Sequence, residues 1–202
     1  MSIINYYDVP TPHRFSFFRA PVRNTTPYKS VSVRQIYNVV TGDYYRETTL
    51  HLRNLCRLMK EGKATKRDVQ RFKSEHFDYA TFSGVFSCRR NDALLQHSGL
   101  LCLDFDHLAQ WRESPSVGGV YGLRYLLMND TAVDSRLILR SPGGEGLKWV
   151  VAIDPSQATH GEWFDALSFY VERNYGVQAD PSGRDVSRAC YLPWDPDAVI
   201  FE

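Results

Sequence analysis

The sequence predicts an α+β fold, an antiparallel sheet core of order β-α-β-β-α-β behind an N-terminal helical and extended subdomain. Three observations carry that expectation. The run Ser98-Gly99-Leu100-Leu101-Cys102-Leu103-Asp104-Phe105-Asp106-His107-Leu108 is apolar until two aspartates close it, as a buried core strand would be. Ser135 to Arg140 and Leu147 to Ile153 are β-branched and apolar runs joined by Ser141-Pro142-Gly143-Gly144-Glu145-Gly146, which predicts a hairpin across a glycine-rich turn. His160 to Tyr175 places Trp163, Phe164, Leu167 and Val171 on one side of an amphipathic helix.

The elements follow in chain order. Residues 1 to 30 mix Pro, Thr, Asn and aromatics and predict an extended arm with turns at Pro10-Thr11-Pro12 and Thr26-Pro27. Residues 31 to 97 predict a mostly helical subdomain. Its helices are Val33 to Val40, started by Ser32 and stopped by Gly42, then Thr49 to Lys60, ended by Gly62, and the short basic Lys66 to His76. A strand follows within Phe77 to Ser87. Residues 98 to 202 form the core: the acidic strand, a helix over Gly122 to Met128, the hairpin, the amphipathic helix, and the extended pieces Val177 to Asp180 and Arg188 to Leu192. That order is the ferredoxin-like or RRM-like unit, with two helices on one sheet face and the other face left for ligands. The whole chain is expected to be one compact unit, and it reads as the N-terminal domain of a longer protein.

Composition sets bounds. With 202 residues, 43% hydrophobic and 23% charged, the chain has the make-up of an ordinary soluble globular protein. A net charge of +1 requires any polyanion to be met by a local cluster of cations. No stretch is long and apolar enough to cross a membrane, and Met1 to Tyr7 lacks the pattern of a signal peptide, so a cytoplasmic location is expected. The four cysteines, at 56, 88, 102 and 190, form no CxxC pair and read as free thiols, with Cys102 and Cys190 on strands.

Three constellations bear on chemistry. On a strand, residues two apart share a face, so Asp104 and Asp106 project together and repel unless a divalent cation or basic side chains neutralise them. Both readings stand from the residues alone. The glycine-rich turn, with Ser141, Gly143, Gly144, Gly146 and then Lys148, can cradle a phosphate, or it can be an ordinary hairpin turn with a solvated lysine. The segment Asp180 to Asp197 offers Asp180 as a third acidic ligand and Arg188 as a phosphate contact, or it is a polar loop of local Asx turns and ion pairs, with Asp195 and Asp197 flanking Pro196 as turn formers. His97, His107 and His160 read as structural or exposed. In the arm, Arg14, Arg19, Arg23 and Lys29 alternate with Phe15, Phe17, Phe18 and Tyr28. This suits single-stranded nucleic acid, but the favoured reading is an arm that wraps the domain, burying rings and exposing charges.

Taken together, Phe18 to Thr25, Thr81 to Phe86, Ser98 to Leu108, Ser141 to Trp149 and Asp180 to Pro196 resemble the BT4734-like, or VirE N-terminal, domain family of bacteria and their mobile elements. The resemblance implies a divergent branch of the archaeo-eukaryotic primase superfamily, which includes primase-polymerases. It implies a catalytic trio, Asp104, Asp106 and Asp180, holding Mg²⁺ or Mn²⁺. Ser141, Gly143, Gly144, Gly146, Lys148 and Arg188 would bind the phosphates of a nucleoside triphosphate. It further implies nucleotidyl transfer on a single-stranded DNA or RNA template crossing the open sheet face, in replication of a mobile element. Lys148 stands where the superfamily has histidine, and Ala179 is only weakly apolar where an apolar residue precedes the third acid. The lysine favours an alternative: an inactive nucleotide- or nucleic-acid-binding module that positions a helicase in cis or in trans. A metal-dependent nuclease would keep the carboxylates without using the phosphate cradle.

Overall fold

The structure, a computed structural model, describes residues 13–111 and 118–201. The turn expected at Pro10-Thr11-Pro12 and the segment Met1 to Tyr7 lie outside the described residues. In chain order the elements are β1 (Phe15–Phe18), β2 (Lys29–Val31), α1 (Val33–Thr41), α2 (Arg46–Lys60), α3 (Lys66–His76), β3 (Tyr79–Thr81), β4 (Gly84–Phe86) and β5 (Leu94–His97). Then come β6 (Leu100–Phe105), α4 (Gly119–Met128), β7 (Ser135–Arg140), β8 (Leu147–Ala152), α5 (His160–Tyr175), β9 (Cys190–Tyr191) and β10 (Val199–Ile200). The fold is α+β with antiparallel sheets.

Local sequence explains most boundaries. Ser32 with Gln35, Thr65 with Asp68 and Thr159 with Glu162 close capping boxes at the starts of α1, α3 and α5, satisfying amides that have no partner in the first turn. Gly176, in the left-handed region at φ +66°, ends α5. Two helices begin three residues earlier than the pattern predicts. The single 3₁₀ turn Asp43–Tyr45 runs straight into α2, and α4 starts at Gly119. The single strand expected over Phe77 to Ser87 is two short ones, β3 and β4.

The strands sort into a sheet of order β2-β1-β3-β9, a sheet of order β10-β7-β8-β6 and the β4-β5 hairpin. The terminal segment Arg188 to Leu192 does form a strand, but β9 pairs with β3, Tyr79 against Tyr191, and so joins the first sheet. The fourth strand of the second sheet is β10, beside β7. Along the outer edge of β6 the Asp180 N–H donates to the Asp104 carbonyl at 2.8 Å. Pairing stops there because Pro181 has no N–H and opens the 3₁₀ turn Pro181–Arg184.

β6 is buried on both faces. Leu101, Leu103 and Phe105 meet Leu123 and Leu127 of α4 and Phe164, Leu167 and Val171 of α5. Leu100 and Cys102, with Leu137, Leu139 and Val150, pack instead against Phe15, Phe17, Val31, Ile36, Tyr45, Ala80 and Phe82. The second face of the core sheet, expected to lie open for a template, is therefore filled by the N-terminal elements. The arm's rings do this work: Phe15, Phe17 and Phe18 are buried while Arg19 stays partly exposed, so the segment expected to be an arm supplies a core strand. Among the described residues, the end of the core sheet is where a cavity opens.

Two polar clusters tie distant segments together. Asp195 accepts from Arg124 Nη2 at 2.7 Å and from the Arg140 backbone N–H at 2.6 Å, with both side chains of the ion pair buried. Asp195 also accepts a turn bond from the Ala198 N–H, as its predicted turn role requires, but its carboxylate is a buried anchor. The Gly99 N–H donates to His97 Nδ1, which leaves the proton on Nε2 to donate to His160 Nδ1 at 3.2 Å. His160 Nε2 then donates to the Gly183 carbonyl. Burial first, then His160, pulls the His97 imidazole down to about 4, and burial lowers His160 as well.

Asp195→Ala leaves the buried Arg124 guanidinium with the exposed Asp197 carboxylate, 3.8 Å away, as its remaining ion-pair partner, and urea unfolding is expected to register a loss of about 3 kcal/mol. The histidine pair sets a pH dependence. The unfolded chain takes up protons near 6.5 while folded His97 resists until about 4. Its contribution to stability is thus complete above that window and is lost as pH falls through it. Urea midpoints across the window are expected to fall in the wild type and to fall less in His97→Gln, which does not titrate.

Candidate phosphate and metal site

A cavity of about 870 Å³ opens between α2–α3, the end of the core sheet and the segment 182–191. That is the size range of small-molecule sites. β6 and β8 bring Asp104 and Lys148 to its floor as a cross-strand pair. Lys148 Nζ donates to Asp104 Oδ2, with both side chains nearly out of solvent. Burial alone would lower the Lys148 ammonium, but the Asp104 carboxylate outweighs it and pushes the group up. Asp104 Oδ1 is buried with no hydrogen-bond partner. Asp106 lines the same cavity, is exposed, and makes no hydrogen bond or ion pair with the described residues. The two aspartates are therefore on one side of the strand end, as the spacing predicts.

Asp180 is brought beside them by the backbone, through its N–H to Asp104 O. Its carboxylate is committed elsewhere: Oδ1 accepts from Ser182 N at 3.0 Å and Oδ2 from Arg188 Nη2 at 2.8 Å. Burial would raise Asp180, but the Ser182 hydrogen bonds together with Arg188 and Lys148 bring it below the usual carboxylate value. Among the described residues, no group of three His, Cys, Asp or Glu side chains is placed to hold a metal ion. What is present is a pair of oxygen donors, the orphaned Asp104 Oδ1 and the unpaired Asp106, in a donor set that fits a hard divalent cation.

The glycine turn forms one wall. Ser141, Gly143 and Gly146 line the cavity. Several of the turn's own amides are already used. Gly146 N–H donates to Ser141 Oγ at 3.0 Å, Ser141 N–H to Gly146 O, and Gly144 N–H to Ser141 O. Gly144, at φ +90°, faces the guanidiniums of Arg53 and Arg140 on the other side of the turn. At Gly146 a Cβ would lie 2.4 Å from Phe105 O and 3.3 Å from Asp106 Oδ1, so only glycine lets the turn approach the acidic strand end.

The cations around the cavity outnumber those expected. Lys148 and Arg188 are joined by Lys60, Arg67, Arg71, Lys73 and Arg89. Lys60 pairs with Glu145, and Arg71 with Asp68. Arg67, Lys73 and Arg89 have no carboxylate partner among the described residues. Burial first, then the Lys148 ammonium, pulls Lys73 below the ordinary lysine value, against Asp104 and Asp106. An anion bound here would relieve that repulsion. The basic character of α3 is plain in the sequence, but its place across the cavity from the glycine turn, more than sixty residues further along the chain, is set by packing.

A model of the family described as BT4734-like, N-terminal domain, matches residues 71–200, more than half of the chain. The chain belongs to this family. The match covers the acidic strand, the glycine turn and the Asp180 to Arg188 segment, all of which carried the resemblance, whereas Phe18 to Thr25 precedes it. No curated protein and no solved structure matches the chain. In this BT4734-like domain the cavity floor lies within the matched residues, while α2, β1 and β2 lie outside them. No helix among the described residues is long and apolar enough to cross a membrane. All four cysteines of the chain are free.

Lys148→Met strands the Asp104 carboxylate, and urea unfolding is expected to show a loss of about 3–5 kcal/mol. Pairing it with Asp104→Leu is expected to recover most of that stability, since an apolar pair needs no desolvated charge.

Proposed function

We propose that the cavity is a nucleoside-triphosphate site and that the domain is primase-polymerase-like, acting on single-stranded template in replication of a mobile element. The observation that carries this reading is the pairing of two available carboxylate oxygens with cations that have no carboxylate partner among the described residues, in one cavity. Carboxylates alone would suit a metal, and cations alone a phosphate. Their conjunction suits a metal–polyphosphate complex. The likeness to primase-polymerases points the same way, and the β-α-β-β-α order from β6 to α5 is compatible with an RRM-like core.

Each residue has a role in this proposal. Asp104 Oδ1 and Asp106 would hold Mg²⁺ or Mn²⁺, because Lys148 occupies the other oxygen of Asp104. A bound divalent ion would neutralise phosphate charge and acidify an attacking hydroxyl. Lys73, Arg67 and Arg89 would neutralise the phosphate tail, with Arg188 available if it leaves Asp180. Ser141, Gly143 and Gly146 shape the wall that the tail lies against. Asp180 positions Arg188 and, through its amide, the Asp104 backbone.

The pairings of Lys148 with Asp104 and of Arg188 with Asp180 favour a second reading, binding without turnover in a module that positions a helicase. One experiment separates the two. Fluorescent ATP and dATP are titrated with Mn²⁺, and extension of a primed single-stranded template is measured in parallel. Nucleotide affinity is expected to drop at least about tenfold in Lys73→Glu and to lose its metal dependence in Asp106→Asn. Extension abolished by Asp106→Asn supports the enzyme, and binding without extension supports the module. Absence of nucleotide binding in the wild type would sink the enzyme and would leave of the module only its nucleic-acid-binding form.

A further inference from the structure

On the far side of the glycine turn from the cavity, cations and rings lie side by side along α2, the partly buried Trp194, the end of β7 and α4. Arg46 and Arg53 lie two helical turns apart on α2. The Arg46 guanidinium sits 5.4 Å from the Trp194 ring, and Arg53 Nη2 donates to the Trp194 carbonyl. Next along is Arg140, whose Nε donates to Gly144 O and whose guanidinium lies 5.6 Å from the Tyr121 ring. Tyr121 and Tyr125, one turn apart on α4, are 63% and 65% exposed.

The guanidiniums of this strip lack anions. Arg46, Arg53 and Arg140 form no ion pair with the described residues. The nearby Asp195 is already held by Arg124 and the Arg140 amide. Arg53 Nε is buried without a hydrogen-bond partner, and Arg140 repels Arg53 across Gly144. The chain as a whole carries only +1, so this is a local concentration of charge. A row of cations beside two exposed tyrosine rings suits a single strand, which offers phosphates to the one and unpaired bases to the other. They do not suit a duplex, whose bases are stacked away from the protein.

We infer that Arg46, Arg53 and Arg140 with Trp194, Tyr121 and Tyr125 form a track for single-stranded nucleic acid, which passes beside the glycine turn into the cavity. The entry into the cavity rests on the nucleotide reading of that site, whereas binding along the track does not. The core sheet face, covered by the N-terminal elements, cannot carry the strand. The track takes it over the side instead. The phosphates lie on the arginines and the bases stack on the tyrosines.

The test uses the whole protein and a fluorescein-labelled oligothymidine of about 20 nucleotides, followed by anisotropy. Tyr121→Ala with Tyr125→Ala is expected to weaken binding about tenfold or more, with an unchanged melting temperature. Arg46→Gln and Arg53→Gln are each expected to flatten the log–log salt dependence by about 0.7. Wild-type affinity in the tyrosine double variant overturns the track, as does a duplex of equal length binding as tightly as the single strand. A protein that binds the oligonucleotide through these residues but binds no ATP keeps the track and refutes the nucleotide reading of the cavity. One that binds ATP while the tyrosine variant holds the oligonucleotide normally refutes the track alone.

Discussion

Lys148 and Asp104 face each other across neighbouring strands in the interior of the protein, and the layout of the site follows from that pair. A charged lysine and a charged aspartate withdrawn from water are each costly, and they are tolerated here because each neutralises the other. The pair forms where the apolar lining of the core sheet gives way to the cavity. Hydrophobic packing closes the sheet face up to Cys102 and Val150, and the ion pair stands at the boundary. It also leaves one oxygen of Asp104 unmatched, which gives the floor of the cavity unused acceptor capacity.

The N-terminal elements have two effects through one arrangement. By covering the second face of the core sheet they complete a core in which β6 is buried on both sides, the environment that its unbroken apolar run requires. By placing α2 and α3 across the end of that sheet they turn the sheet end into an open cavity. The cations of α3 then meet the carboxylates of β6 with the glycine turn between them. The turn's glycines serve closeness: Gly146 allows contact with the acidic strand end, and Gly144 allows two guanidiniums to converge behind it.

Much of this was legible residue by residue. The helices of the first half, the hairpin and α5 followed from capping residues and periodicity, because those signals act within a few residues. The shared side of Asp104 and Asp106 followed from strand alternation. The burial of Phe15, Phe17 and Phe18 followed from their apolar bulk. The partner of β9 was not legible, since a two-residue strand carries no periodicity and its place is decided by what packs around Cys190 and Leu192. The Asx turn and ion pair of Asp180 match the polar-loop reading of its segment, whereas the choice of Arg188 over Arg184 as its partner depends on how the 3₁₀ turn folds back.

By itself the sequence determined most element types, the membership in the BT4734-like family and the position of the acidic strand end beside the glycine turn. Side-chain chemistry and local backbone preference are enough for that. Only the tertiary structure decided that Lys148 neutralises Asp104 rather than reaching freely into solvent, and that α3 supplies cations to the cavity. It alone decided that the core sheet has no open face. Each of these depends on contacts between segments tens of residues apart, where burial and charge pairing are set by the packing of the whole chain.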